Sequence, residues 1–396
     1  MTKWEVRPLG EVCRVVNGGT PKTSVLEYWG GEHRWITPAE MGKRSSPYVA
    51  DTSRKLTSLG LSNCSASLSP ANSVILSTRA PIGHLVINTE PMATNQGCRT
   101  LVPGSGIHEK YLYFYLDSIR DVLDALGTGA TFRELSAGVL KSVTIPVPSL
   151  PEQQNIFEIL EEVFEAIATA RENAEKSIRN ARALFKRDLR SIVAEAWEAG
   201  ELVTLSSLAT DITDGDHMPP PKAPTGVPFI TIRNVMKDTG KIDFSETFMV
   251  PSEYFEDLKD NKKPRKGDVL YTVTGSFGIP VLVERDVEFC FQRHIALVRP
   301  KPETDSAWLY YLLMSPQVFD QADERATGTA QRTVSLGVLR SLVVPAIPLP
   351  QQRAAAARLE ILTQETQRLA AIYQRKLAAL DELKKSLLHQ AFSGQL

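Results

Sequence analysis

The sequence predicts an α/β (α+β) protein with two globular units in tandem. Two long antiparallel α-helices, forming a coiled coil, separate and hold the units, and the whole carries a pseudo-two-fold internal repeat. Three observations predict this. The phrase GVLKSVTIPVPSLPEQQ at 138–154 returns 199 residues later as GVLRSLVVPAIPLPQQR in a chain of 396 residues. Each copy is followed by a long helical run, and each is preceded by short β-branched segments mixed with short helices.

Composition and charge limit the classes of protein to which the chain can belong. The chain is 42% hydrophobic and 23% charged, as in soluble globular proteins, and its length fits two or three domains. The net charge is −1, so DNA binding would need local basic patches or a partner's charge. We find neither a signal peptide nor a membrane-spanning run. The four cysteines form no CxxC pair, which argues against a disulfide framework or zinc site and fits a reducing cytoplasm.

The internal repeat extends beyond the quoted phrase. In the alignment Gly83 stands opposite Gly278, Gln96 stands opposite Gln292, and LGTGATFREL stands opposite RATGTAQRTV. The intervening loops differ: NGGTPKTSVLEYWGGEHR in the first copy has no likeness to TDGDHMPPPKAPTGVP in the second. A shared scaffold with divergent loops is how one architecture reads two targets. Two copies of a structural module that drifted apart are the alternative.

The two long helices follow the repeated phrase. Pro151 and Pro350 suit a first helical turn. Apolar or small residues then recur at steps of four and three, which average near 3.5 residues as in a coiled-coil seam. The two seams are Ile156, Leu160, Val163, Ile167, Ala170, Ala174, Ile178, Ala181 and Leu184, then Leu362, Thr366, Leu369, Tyr373, Leu377, Leu380, Leu383 and Leu387. Each stripe needs a partner, and the other helix in antiparallel pairing is the simplest one.

These elements define the predicted domains. The first unit covers 1–150, the first helix 151–199, the second unit 200–349, and the second helix with the C-terminal tail 350–396. Lysine and arginine residues are concentrated in the second half of the first long helix. They form either an ordinary solvated face or a surface that contacts phosphate or an acidic partner. Within the units we predict strands at SVILST, GHLVIN, CRTLVP, DVLYTV, IPVLVE and HIALVRP, and helices at 108–126 and 305–321. Their aromatic stripes are more typical of core than of a base-stacking platform.

Polar loop residues are the candidate binding site. Arginine can bond a guanine edge, asparagine or glutamine an adenine edge, and serine or threonine a base or a phosphate. The candidates are Lys22, Arg79, Asn95, Gln96, Thr128, Thr131, Arg133, His217, Arg233, Asn234, Thr274, Ser276, Arg293, His294, Thr329, Gln331 and Arg332. Because glutamine recurs at 96 and 292, those two residues can instead be structural. We find no set of catalytic residues and no histidine pair for a metal.

The chain resembles the DNA-specificity (S) subunit of type I restriction-modification enzymes over nearly its full length. The resemblance lies in GGTPKTSVLEYWGGEHRWITPAEM (18–41), LPEQQ with its echo LPQQR, and the terminal LLHQAFSGQL. The second unit departs from the first, with DGDHMPPP in place of GGTP, which fits a different target-recognition type.

The resemblance implies a non-catalytic role in antiphage defence. Each unit would be a target recognition domain that reads one half of a bipartite, asymmetric site in double-stranded DNA. The helices would set the spacer and dock two modification subunits, which use S-adenosylmethionine to methylate adenine. Two restriction subunits would add translocation and cleavage with ATP and Mg²⁺. The rival hypotheses are a single-chain methyltransferase or nuclease, a scaffold that never touches bases, and the specificity subunit of a related methyltransferase/nuclease system.

Overall fold

A computed structural model describes residues 4–79, 81–129, 133–218, 220–237, 239–329 and 331–396. The chain forms two compact units. The first comprises Met1–Ala174 and Gln374–Leu396, and the second comprises Glu175–Tyr373. Each unit therefore contains one globular part and a portion of both long helices.

The first unit alternates short strands with short helices before the first long helix. Its elements are β1 Glu5–Pro8, α1 Leu9–Val12, β2 Cys13–Asn17, β3 Trp29–Ile36, α2 Pro38–Met41, β4 Tyr48–Val49, β5 Arg54–Leu56, α3 Ser58–Ser62, β6 Ser73–Thr78, β7 Ile82–Asn88, β8 Met92–Thr94, β9 Cys98–Pro103, α4 Glu109–Ser118, α5 Arg120–Ala125, α6 Ala137–Ser142, β10 Thr144–Val147 and the start of α7 Leu150–Ala199. A 3₁₀ turn at Leu26–Tyr28 precedes β3.

The second unit repeats this order with changes in its loops. Its elements are the end of α7, β11 Glu201–Thr204, α8 Leu205–Leu208, β12 Ala209–Asp214, β13 Val227–Ile230, β14 Val235–Met236, β15 Lys241–Ile242, β16 Phe248–Val250, α9 Ser252–Glu256, β17 Val269–Thr272, β18 Pro280–Leu282, β19 Cys290–Phe291, β20 Ile295–Pro300, α10 Ser306–Met314, α11 Pro316–Arg325, α12 Leu336–Arg340, β21 Val343–Ala346 and the start of α13 Leu349–Ser393, whose last part belongs to the first unit. Further 3₁₀ turns lie at Ile232–Asn234 and Asp260–Lys262.

The same strand pairing recurs in both units. The first has a sheet of order β2-β9-β6-β7-β4, and the second has β12-β20-β17-β18. A smaller sheet, β5-β3-β8 or β16-β13-β19, holds a parallel pair, β3 with β8 and β13 with β19. A two-stranded antiparallel ribbon, β1 with β10 and β11 with β21, completes each unit. The predicted α/β class and internal repeat are confirmed.

Burial on β6 shows how the first core is built. Val74 and Leu76 pack in the cluster that includes Tyr111 and Leu112 of α4. Ile75 points the other way, into a cluster with residues of β3 and α2. This alternation follows from the two-residue period of a strand. The sheet is therefore covered on both faces, and functional side chains are left to the strand ends and loops.

Each predicted helix at 108–126 and 305–321 is in fact two helices. The second run breaks at Ser315, whose side chain accepts a hydrogen bond from the Val318 N–H and caps α11. Pro316 has no N–H to continue the preceding helix. In the first run α4 ends at Ser118 and α5 begins at Arg120. The aromatic stripe is core, as predicted, since Tyr111 and Trp308 are fully buried.

The long helices pack together within each unit. In the first, Arg171 of α7 pairs with Asp381 of α13, and Lys384 lies over the Phe164 ring at 4.8 Å. Residue numbers fall on α13 as they rise on α7, so these portions are antiparallel, as predicted. In the second unit Glu195 and Arg358 pair at 3.6 Å.

The seams differ from the predicted ones at three positions. Leu184, Leu369 and Leu383 are 46%, 41% and 45% exposed. On α13 the neighbouring residues Ala370 and Lys384 are more buried instead. Lys384 takes its position because Asp117, 3.3 Å away, pairs with its ammonium group and the Phe164 ring covers it. A polar partner from the globular part thus decided the register at that position.

The repeated phrase anchors each long helix to its unit. Gln153 is fully buried: its amide oxygen accepts from the His108 N–H at 2.9 Å, and its amide nitrogen donates to Gly106 O and Pro148 O. Gln352 makes the same three bonds, to Asp305 N, Glu303 O and Ile347 O. Buried amides need such partners. The sequence phrase occurs twice because the same buried glutamine hydrogen bonds attach the start of each long helix to its unit.

Two further features concern the cysteines and the helices of the described chain. Each of the four cysteines is free, and burial raises the pKa of Cys13, Cys98 and Cys290 to about 12. Among the residues that the structure describes, no helix is long and apolar enough to cross a membrane.

Candidate nucleic-acid interface

A tight turn follows the parallel strand of the smaller sheet in each unit. We call Asn95–Gly97 and Gln292–His294 the central turns. In the first, the Asn95 N–H donates to Ile36 O at 3.0 Å, and Asn95 O accepts from the Cys98 N–H at 3.1 Å. In the second, Gln292 N and O make the equivalent bonds with Ile230 and Ile295, both at 2.9 Å. The two turns are therefore equivalent, residue by residue.

This equivalence corrects the sequence alignment by one position. Asn95 corresponds to Gln292, Gln96 to Arg293 and Gly97 to His294, so Gln96 does not match Gln292. The alignment matched two identical letters, whereas the hydrogen bonds follow backbone position. The argument that glutamine recurs here for structural reasons is therefore wrong. The central turns share a backbone and differ in every side chain.

A glycine packs against each central turn so closely that a Cβ would not fit. A Cβ at Gly18 would come closer than 3.0 Å to Asn95 O and Thr94 Oγ1, and a Cβ at Gly215 would come equally close to Phe291 O. The following residue bonds to the strand: Gly19 N donates to Thr94 O, and Asp216 N to Phe291 O, both at 2.9 Å. The two loops that looked unrelated in sequence thus both begin with a glycine packed closely against the central turn. The dipeptides Asn17-Gly18 and Asp214-Gly215 are the sequence signal of this shared feature.

A hairpin packs beside each turn. Thr128 and Glu134 exchange backbone hydrogen bonds at 3.1 and 2.9 Å, and Thr327 and Thr333 do so at 3.0 and 2.7 Å. Both loops need a left-handed glycine, Gly129 at φ +122° and its counterpart in the second unit at φ +102°.

Backbone bonds join hairpin, strand end and turn into one surface. Leu135 N donates to Thr78 O at 2.9 Å, and Thr78 N donates to Gly97 O at 2.7 Å. The second unit repeats both bonds through Val334, Val273 and His294. We call each surface, made of central turn, strand end and hairpin, a reading surface.

The hairpin arginines are braced in the same way in both units. The Arg133 guanidinium lies 3.0 Å from Asp124 Oδ2 and donates to Asp124 O at 2.5 Å. Arg332 makes the same two bonds with Asp323. Both arginines are about half exposed. An arrangement found in both units positions the hairpin, and the predicted contact of these arginines with bases stays a prediction.

Replacing Arg133 with alanine is expected to loosen the first hairpin without unfolding the unit. An exposed ion pair contributes up to about 1 kcal/mol, so the free energy of unfolding should fall by no more than that. The amides of Thr128 and Glu134, which bond each other, should lose protection severalfold in hydrogen exchange. Arg14→Ala, at an exposed arginine on β2, is the control. Unchanged protection at both amides would contradict the bracing role.

The strand end carries a different side-chain pair in each unit. Arg79 and Glu134 form an antiparallel backbone bridge, and their side chains form an ion pair. At the equivalent bridge Thr274 faces Thr333, with their hydroxyl oxygens 3.4 Å apart. The backbone contact is shared, and the chemistry presented by the side chains is not.

The remaining candidates lie around the reading surfaces. In the first unit the Thr20 hydroxyl donates to the exposed Gln96 side chain, and the Asn95 side chain accepts from Gly97 N at 2.9 Å. Lys22 is exposed further along that loop, and its carbonyl accepts from the Trp29 indole N–H. Thr131 lies outside the described residues.

The second unit presents a different set of polar groups. Exposed Arg293 occupies the central turn, and burial together with the Arg293 charge lowers the pKa of His294. His217 Nε2 lies 2.7 Å from Asp214 Oδ2. Exposed hairpin and loop positions are held by Thr329, Gln331 and Arg233, and half-buried Ser276 follows β17.

Asn234 has a structural environment. It is 7% exposed; its amide oxygen accepts from Thr231, and its amide nitrogen donates to Asp243 O and Glu246 O at 3.2 Å. Thr231 occupies the same place after its strand as Thr37, which caps α2. Both polar ends of the Asn234 amide are thus occupied by the second unit itself.

Sequence reasoning did not single out four residues of these surfaces: Gly18, Gly215, Arg99 and Glu134. Arg99 is only 13% exposed, donates to Gln96 O at 3.0 Å and lies 3.4 Å from Glu134 Oε1. Only a strand register identifies its neighbours, since 35 residues separate it from Glu134.

The reading surfaces offer hydrogen-bond donors and acceptors. Among the described residues no cluster of three or more histidine, cysteine, aspartate or glutamate side chains could hold a metal. Arg, Gln, Asn and Thr side chains on a rigid backbone suit recognition of base edges and phosphates.

Comparison with known proteins identifies the family. The sequence model described as the type I restriction modification DNA specificity domain matches residues 1–177 and again 197–374. The specificity subunit of the type I restriction enzyme MjaIX from Methanocaldococcus jannaschii is 35% identical over 185 residues. That alignment covers 46% of this chain and 43% of the relative, so the chain matches less than half of that relative's length.

Solved structures share the fold over the full length. A chain from a study of complex assembly and conformational transition of the type I R-M system superposes with a TM-score of 0.79 at 20% identity, covering 99% of this chain and 98% of that one. The HsdS subunit from Thermoanaerobacter tengcongensis gives a TM-score of 0.60 at 19% identity, covering 99% and 97%. With both family matches in tandem on one shared architecture, this chain belongs to the family of type I restriction-modification DNA specificity domains.

Proposed function

We propose that this chain is the sequence-specific DNA-binding specificity subunit of a type I restriction-modification complex. Each unit reads one half of a bipartite, asymmetric site in double-stranded DNA. One observation carries the proposal: the two reading surfaces share their backbone hydrogen bonds and differ in the side chains that they present. Asn, Gln and Gly occupy one central turn, and Gln, Arg and His occupy the other. Two half-sites of different sequence can be read in this way, because different side chains on the same backbone recognise different base edges.

The net charge of the chain bears on how tightly it binds DNA without partner subunits. With a net charge of −1, the chain as a whole has no excess of positive charge to attract phosphates. Specific affinity then depends on base contacts and on partners that add positive charge. The chain would bind DNA tightly only within a larger complex.

The partners supply the chemistry under this proposal. The long helices set the spacer between half-sites and dock two modification subunits, which bring S-adenosylmethionine. Two restriction subunits bring ATP and Mg²⁺. The chain itself is non-catalytic and works in the cytoplasm of a bacterium or archaeon.

Selection from duplexes of randomised sequence tests the proposal. The full chain, in complex with type I modification subunits, should select a motif of two defined halves separated by an unspecified spacer. Exchanging residues 200–349 for those of a relative should change one half and leave the other. Selection of no motif would favour a scaffold that never reads bases, and a change in both halves would refute independent reading.

A further inference from the structure

A carboxylate sits between two arginines on the first reading surface. Glu134 Oε2 pairs with the Arg79 guanidinium, and Glu134 Oε1 lies 3.4 Å from Arg99 Nη2. Arg99 is itself fixed, since its other terminal nitrogen donates to Gln96 O at 3.0 Å and Cys98 O at 2.9 Å. One oxygen of the Glu134 carboxylate is therefore fixed by Arg99, which is itself bonded to the central turn. The other oxygen pairs with the more exposed Arg79. Arg79 remains 41% exposed, and Glu134 is 31% exposed.

The second unit lacks all three of these side chains on the same backbone. Thr274 and Thr333 replace Arg79 and Glu134 at the equivalent bridge. Leu76 pairs with Arg99 across β6 and β9, and the equivalent Tyr271 pairs with Ala296. The triad is thus not needed to build this fold. It is an addition to one reading surface only.

We propose that Arg79 reads a guanine in the first half-site and that Glu134 is the positioning residue that makes this reading selective. This inference rests on the proposed function. Arg79 uses one terminal nitrogen of its planar guanidinium on Glu134, which leaves its other donors for guanine O6 and N7. Glu134 thereby orients the guanidinium in the way that a bidentate contact requires.

The negative charge of Glu134 adds a second effect. A free, exposed arginine binds any phosphate, and such contacts carry no sequence information. A carboxylate beside it offsets the attraction to phosphate and repels the backbone of a wrongly placed duplex. Glu134 therefore lowers non-specific affinity while it preserves the contact with guanine. The uncharged Thr274–Thr333 pair does neither.

Two variants test the inference by selection from randomised duplexes, with the full chain in its complex. Glu134→Gln keeps an acceptor oxygen for Arg99 and removes the charge. We expect discrimination for guanine at one position of one half-site to fall about tenfold, within the range for a lost bidentate contact. Affinity for random duplex should rise and become more salt-dependent. The other half-site should be selected as before.

The double variant R79T/E134T protects the test against simple misfolding. It places the pair of the second unit on a backbone bridge that already accommodates that pair there. It should lose guanine preference at the same position and keep the melting temperature. Glu90→Gln, at an exposed glutamate between β7 and β8, is the matched control and should select the wild-type motif.

The outcomes separate two failures. If the wild type selects a bipartite motif and both variants select it unchanged, the inference on Arg79 and Glu134 is wrong and the proposed function stands. The inference is also wrong if the double variant alters both halves. If the wild type selects no motif, the proposed function fails, and this inference falls with it.

Discussion

Replacing Gly18 with alanine is expected to remove sequence reading by the first unit while leaving the second unit intact. The added Cβ would approach Asn95 O and Thr94 Oγ1 closer than 3.0 Å. Asn95 O accepts a hydrogen bond from the Cys98 N–H at 3.1 Å, and the Thr94 backbone is paired with Ile36. The turn or the loop must therefore shift. Overpacking of this kind costs about 3 kcal/mol. Gly19 N would also move from Thr94 O, its partner at 2.9 Å.

Selection from randomised duplexes and urea unfolding together measure this effect. Gly18→Ala should lose one half of the motif, and Gly215→Ala should lose the other half, because its Cβ would meet Phe291 O. Gly106→Ala is the control, since a Cβ there meets nothing within 4 Å. If Gly18→Ala has wild-type stability and selects both halves, the glycine does not support the turn.

Replacing Gln153 or Gln352 with alanine is expected to cost about 3–5 kcal/mol of unfolding free energy in the unit concerned. Each substitution leaves one N–H and two carbonyls without their amide partner. One of the carbonyls is buried and the other two groups are partly buried, and an unsatisfied buried group costs about 1–3 kcal/mol. For Gln153 these are His108 N, Gly106 O and Pro148 O. The start of α7 would detach from the loop before α4.

Hydrogen exchange and urea unfolding of the full chain can check this expectation unit by unit. Gln153→Ala should lower protection in the first unit, and Gln352→Ala should lower it in the second. Gln154→Ala is the matched control, because Gln154 is exposed and bonds only Glu158 on its own helix among the described contacts. Equal losses for Gln153→Ala and Gln154→Ala would show that burial of the amide is unimportant.

The repeat and the long helices were accessible from sequence because their signals are periodic. The phrase at 138–154 recurs since each helix start needs the same buried glutamine, and identical needs preserve identical letters. The seam of α7 follows the period of the helix, and Ile156 and Leu160 lie in the core as expected. The strand at 73–78 has the predicted bounds because its β-branched residues are buried throughout.

The site was accessible only in part. Residue chemistry predicted Arg79, Asn95 and Gln96 as binding residues, and the structure places them on one surface; their contact with DNA stays a prediction. Glu134 was missed, since nothing near it in sequence indicates that it lies between two arginines. The pairing of Gln96 with Gln292 was wrong because letter identity does not count a one-residue difference in loop length.

By itself the sequence determined the class of fold, its duplication and the two long helices, because local propensity, periodicity and repetition are properties of neighbouring residues. Only the tertiary structure decided which side chains stand at equivalent places on the two reading surfaces. Strand register sets those places, and it depends on hydrogen bonds between segments distant in sequence. Arg79, Arg99 and Glu134 become one group only when that register brings their strand ends together.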